Sequence, residues 1–157
     1  MVKVHNVRVE ITNKTPFNMT YSTDWYNSGR LADTYSWPQT IGSGRTADVL
    51  NYERDWSLAG CSGFVTYVVD GTDITIAFSN PLFGTNKLGV GIEGKGVWDS
   101  MGCQDYRPFR YFVETKQSSA TLLFYLRCTS GSTNVCSVIM EAKTGNESAV
   151  CQPGGSH

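Results

Sequence analysis

Few side chains in this sequence could do acid–base or nucleophilic chemistry, and their placement argues against it. The two histidines are His5, near one end, and His157, in a Gly/Pro-rich tail. A Ser-His-Asp or Cys-His device therefore lacks a positioned base. Asp24, Asp33, Glu53, Asp55 and Asp105 all fall in loop-like segments. Paired carboxylates need a fixed separation in a cleft, and solvated loop charges account for these residues. Asp70 and Asp73 bracket Gly71 with too few oxygen ligands nearby for calcium, so turn chemistry explains them. Cys61, Cys103, Cys128, Cys136 and Cys151 show no Cys-x-x-Cys spacing, hence no zinc or thioredoxin-like signature. Cys128 and Cys136 could face each other across a hairpin, but the simplest expectation is buried, reduced thiols packing as small hydrophobes. The glycine strings lack the strand–loop–helix context of a phosphate loop. A non-enzyme without metal or cofactor is expected.

What remains is aromatic chemistry. Aromatics make up 12% of the chain, and many fall outside the evident strand interiors: Trp25, Tyr26, Tyr35, Trp37, Phe83, Trp98, Tyr106, Phe109, Tyr111 and Phe112. Such side chains stack on sugar faces, cage quaternary ammonium groups or sit at a bilayer interface. Closing the ends of a core is the competing explanation for each. The run Arg107-Pro108-Phe109-Arg110-Tyr111 mixes basic and aromatic residues; it reads as a solvated strand edge, with phosphate contact as the alternative.

The elements that must position these groups are strands. Val7–Thr12 alternates apolar and polar residues, and Thr46–Tyr52, Leu88–Ile92, Arg110–Glu114, Ala120–Cys128 and Val135–Ala142 follow the same style. Gly63–Val69 and Asp73–Ser79 are joined by Asp70-Gly71, a hairpin signal. A turn or two of helix fits near Val97–Cys103 or Arg54–Leu58. About eight short strands with Gly/Ser/Asn/Pro connectors predict an all-β, single-domain antiparallel sandwich over residues 1–151, followed by a disordered tail, 152–157. At 157 residues the chain can bury a core unaided. A net charge of −1 argues against a nucleic-acid binder, and no apolar run is long enough for a transmembrane helix. The alternating N-terminus is not a secretory leader. Sequons at Asn13, Asn18 and Asn146 permit secretion without showing it, so the compartment and the oligomeric state stay open.

The segments Val7–Thr15, Trp25-Tyr26-Asn27-Ser28-Gly29, Ala59–Tyr67 and Asp73–Pro81, continuing to Gly89-Val90-Gly91-Ile92, resemble the actinoporin-like fold. That group includes sea-anemone cytolysins and relatives in other animals and plants. Asp24-Trp25-Tyr26 and Phe78-Ser79-Asn80-Pro81 are also similar to plant jasmonate-induced-type proteins. The resemblance implies a β-sandwich and, from the cytolysins, a phosphocholine pocket of serines, a proline and tyrosines. Carried over by position, Ser28, Ser79 and Pro81 match, Ser62 stands where an apolar residue is usual, and Tyr106 or Tyr111 lies nearby. The segment Leu82–Lys87 is shorter than the Tyr/Trp-rich membrane loop of the cytolysins. Their amphipathic N-terminal helix and basic surface have no counterpart either, so a helix-lined pore is not expected.

The resulting expectation is a non-enzymatic recognition module, lectin-like or membrane-surface binding and compatible with defence. It would bind a glycan or a phosphocholine-type lipid head group through Trp25, Tyr26, Ser28, Ser62, Ser79, Pro81, Tyr106 and Tyr111, with peripheral membrane contact allowed. Two alternatives are a cytolysin whose N-terminal helix is missing from this chain and a stress-induced protein acting through protein partners.

Overall fold

Strict alternation makes the first strand. In Asn6–Lys14 (β1) Val7, Val9 and Ile11 point inward and are fully buried, while the intervening residues stay partly exposed. The computed structural model describes residues 5–55, 58–104 and 106–143. The expected tail 152–157, Cys151, Asp105, the Asn146 sequon and the middle of the Arg54–Leu58 segment lie outside them.

After β1 come β2 (Met19–Ser28), β3 (Arg30–Leu31), β4 (Thr40–Ile41), β5 (Thr46–Tyr52), β6 (Cys61–Val69), β7 (Thr72–Asn80) and β8 (Lys87–Gly91). A five-residue helix, α1 (Lys95–Asp99), precedes β9 (Cys103–Gln104), β10 (Phe109–Glu114), β11 (Thr121–Arg127) and β12 (Thr133–Lys143). They form two six-stranded sheets, ordered β10-β11-β12-β1-β5-β3 and β4-β2-β6-β7-β8-β9. The fold is an all-β sandwich, and among the described residues its ladders are antiparallel except one: β1 runs parallel to β12. The core lies between the sheets, with Val9, Tyr67, Phe78, Leu88, Phe124 and Met140 fully buried.

Each expected strand forms. Asp70 and Gly71 take φ of 48° and 76°, the left-handed pair of a tight hairpin turn between β6 and β7. The long strand β2 was not legible. Its pairing with β6 slips between Tyr21 and Thr23 and again between Tyr26 and Ser28. Each bulge resets the two-residue period, so inward and outward positions fall out of step with the sequence. Trp25 and Tyr26, expected in a turn, are therefore strand residues, as are Tyr111 and Phe112 in β10. The helix forms at Lys95–Asp99, slightly ahead of the expected segment.

The sequon at Asn13 has a structural role. Asn13 is fully buried; its amide donates to the carbonyls of Phe17 (2.7 Å) and Ile41 (3.0 Å), and its oxygen accepts from the Thr15 amide and hydroxyl. The Asn-x-Thr ending of β1 is thus a turn lock.

Candidate functional site

Register brings the serines together. Ser28 pairs with Ser62, Ser62 with Ser79, and Ser79 with Lys87, one row across four strands on the outer face of the second sheet. The next row on that face is Trp25, Phe64, Ala77 and Gly89. Trp25 stacks on Phe64 with centroids 5.4 Å apart and planes at 30°, and meets Trp98 of α1 edge-on at 5.3 Å. The Trp98 indole N–H donates to the Ser62 hydroxyl at 2.6 Å. The Lys95 ammonium lies 5.5 Å from the Trp25 ring centre and 5.2 Å from that of Trp98, so these indoles already attract a cation.

α1 can lie on the sheet because β8 alternates glycine there. A Cβ on Gly91 would stand 2.9 Å from a Val97 methyl, and one on Gly89 would stand 3.1 Å from Met101. Val97 is buried against Phe64 and Ala77 in a small second core.

Beside α1 a hollow of about 330 Å³ opens, with Ser79, Pro81, Phe83, Lys87, Trp98 and Asp99 among its walls. Phe83 is 86% exposed and forms a lip. Three buried asparagines hold this rim. Asn80 donates to the carbonyls of Asn6 (3.0 Å) and Ser132 (3.0 Å), and Asn86 to that of Thr129 (2.7 Å). Asn134 donates to that of Ser79 (2.9 Å) and accepts from the Thr129 amide. Each satisfies loop backbone that would otherwise be buried unpaired. Gly60, at φ +77°, allows the loop to approach, since a Cβ there would stand 2.5 Å from the Asn80 carbonyl.

The expected site residues divide. Trp25, Ser28, Ser62, Ser79 and Pro81 share the outer face and its rim. Tyr26 points the other way: it sits edge-on to core Phe78 and its hydroxyl donates to Asn51, and burial pushes its pKa far up. Tyr111 lines a separate pocket of about 130 Å³ with Gly91, Val97 and Phe109. Tyr106, 65% exposed, stands on a third depression beside Arg107 and Pro108. Sequence reasoning named Phe83 and Trp98 only among the turn aromatics, not in the site itself, and left out Lys87 and Asp99. Trp98 carried a signal, an aromatic in a predicted helical turn, but its partner Ser62 is 36 residues away and only folding joins them.

Several of the described carboxylates have structural partners. His5 Nδ1 lies 3.0 Å from Glu53, Tyr21 donates to Asp24, and Arg30 and Arg8 pair with Asp33 and Asp48 at 3.0 and 2.6 Å. The β11–β12 ladder ends at Arg127 and Ser137, one residue short of Cys128 and Cys136; the Cys128 sulfur lies 3.9 Å from that of Cys103, and all four described cysteines are buried.

No protein-family model and no curated protein matches the sequence. Solved structures do match in shape. The lipid-binding protein Nakanori superposes with a TM-score of 0.67 at 15% identity, over 89% of this chain and 72% of that one. The fold is the actinoporin-like β-sandwich. RahU, solved with a Tris molecule, shares it at a TM-score of 0.59 and 9% identity, over 92% of this chain and 100% of that one. IP-1A from Alcaligenes faecalis gives 0.57 and 8%, over 90% and 94%. At such identities the actinoporin-like fold is what is held in common, and ligand chemistry rests on this chain's own residues.

Proposed function

We propose that the protein is a non-enzymatic recognition module and that its ligand is a zwitterionic, phosphocholine-type lipid head group held in the hollow beside α1. The observation that carries this reading is the meeting of complementary groups there. Lys87 offers a cation to a phosphate, while Asp99 and the faces of Trp98 and Phe83 suit a quaternary ammonium. Ser79 supplies a hydroxyl to fix orientation. The exposed Phe83 ring would rest in the interfacial layer of a bilayer. A fold shared with a protein described as lipid-binding supports the same reading.

Glycan binding at the same hollow is the second reading, favoured by the ring of Trp98 beside hydroxyls. Flotation with phosphatidylcholine or sphingomyelin vesicles, run beside a glycan array, separates the two. Trp98→Ala should weaken vesicle binding by about 1–2 kcal/mol, the value of one cation–π contact or stack. Ser79→Trp, which fills the hollow, should abolish it, and Tyr111→Phe should leave it unchanged. Binding that survives Ser79→Trp, or blank results on both vesicles and glycans, would end the proposal. No helix of the described residues is long and apolar enough to cross a membrane.

A further inference from the structure

The edge formed by β10, β11 and the turn before β10 gathers positive charge around depressions that share no wall with the head-group hollow. Two adjoining depressions, of about 320 and 540 Å³, share Pro108 and Arg127 as walls. Arg107 lines the smaller and Arg110 the larger, and all three arginines are exposed. Strand pairing explains the grouping. Arg110 stands opposite Tyr125, and Arg127 follows two residues along β11 on the same face, opposite Ser137. A bridge from the Arg107 amide to the Gln104 carbonyl, 3.0 Å, turns Arg107 onto the rim. Pro108 keeps the residue before it extended, so the step from Arg107 to Arg110 spans at most about 10 Å.

The guanidinium groups of Arg107 and Arg110 lie over the rings of Tyr106 and Tyr125, at 5.5 and 5.3 Å, contacts that orient their planes. Among the described residues no carboxylate lines either depression. By register three acidic residues share that face, Glu114 four residues along β10 from Arg110, Glu141 opposite Leu123, and Glu10 beyond Ser137, and none of them walls either depression. Thr129, Ser130 and Ser137 add hydroxyls. The whole chain carries a net charge of −1, so this is local concentration rather than a generally basic surface.

We propose that this edge binds a sulfated polysaccharide, with successive sulfates taken by Arg107, Arg127 and Arg110. An arginine fork matches a tetrahedral oxyanion in two-point geometry. Three forks spread over two depressions suit a repeating anion better than a single one. A membrane surface fits less well, because among the described residues there Tyr106 is the one large hydrophobic side chain that is strongly exposed and a docked interface needs more apolar area.

The test is binding of a heparin-derived oligosaccharide by titration calorimetry over a salt series. Wild type should bind, and affinity should fall steeply with salt as contacts to the polyanion release counterions. Arg107→Glu/Arg127→Glu should weaken binding at least about tenfold, the loss expected from one charge-assisted contact or more. Lys14→Glu/Arg45→Glu makes a matched charge change at the opposite end of β1 and should bind like wild type. Ser79→Trp should also bind like wild type, which separates this site from the head-group hollow. Equal losses in Lys14→Glu/Arg45→Glu and Arg107→Glu/Arg127→Glu would reduce the effect to bulk charge and overturn the proposal. Undiminished binding of the desulfated oligosaccharide would overturn it too. So would absence of oligosaccharide binding alongside arginine-dependent binding of phosphatidylserine vesicles, which would assign the edge to a membrane instead.

Discussion

The hydrogen bond from the Trp98 indole to Ser62 shows how one side chain sets the orientation of another. Ser62 is 6% exposed, and its hydroxyl is the acceptor that makes burial of the indole N–H tolerable. Ser62→Ala should lower stability by about 1 kcal/mol, the net value of a hydrogen bond, read as a shift in urea midpoint. Vesicle binding should fall with it, because Trp98 loses its fixed pose. A second residue reports on pH. Asp70 accepts hydrogen bonds from the Ser118 and Thr115 hydroxyls, which hold its carboxyl below the usual carboxylate range. A lowered folded-state value gives stability that is complete above the ordinary aspartate value of about 3.9 and is lost as pH falls through the folded value. Asp70→Asn should therefore cost stability at pH 7 and flatten the acid limb of the profile, measured as denaturation midpoint between pH 7 and 2.

At the level of elements, the regular strands were legible because burial of one face imposes a two-residue period. Thr46–Tyr52 forms with the expected bounds. β2 was not legible, because its two bulges erase that period and because Thr20, Ser22, Thr23 and Asn27 dilute its apolar content. The serine row was found only through likeness to a known loop pattern. Its alignment depends on register between strands, which no local window of sequence contains. Gly63 marks where β2 and β6 come together: an added Cβ would stand 2.2 Å from the Trp25 carbonyl and 3.0 Å from the Tyr26 Cα. Both neighbours are backbone, so Gly63→Ala must shift β2 itself. A loss of about 1–3 kcal/mol, the range for overpacking, and a lowered Tm are expected, with Trp25 fluorescence changed.

For the molecule as a whole, the thiols measure how closed the sandwich is. Cys61, Cys103, Cys128 and Cys136 are all buried, and burial pushes the Cys61 thiol up to about 12 and Cys136 well above its ordinary value. Thiolate is the reactive form, so in a Cys151→Ser background a thiol reagent should label the folded protein only at its rate of opening. Fast labelling at neutral pH without denaturant would contradict that closure. The parallel pairing of β1 with β12 adds a constraint of another kind. While the chain is being synthesised, β1 has one open flank until residues 133–143 have left the ribosome, and it offers unpaired amides to any neighbouring strand. Closing that flank joins contacts more than 120 residues apart along the chain (Asn6 with Thr133), so native assembly must be slow for a protein of this size and cannot finish before β12 has emerged.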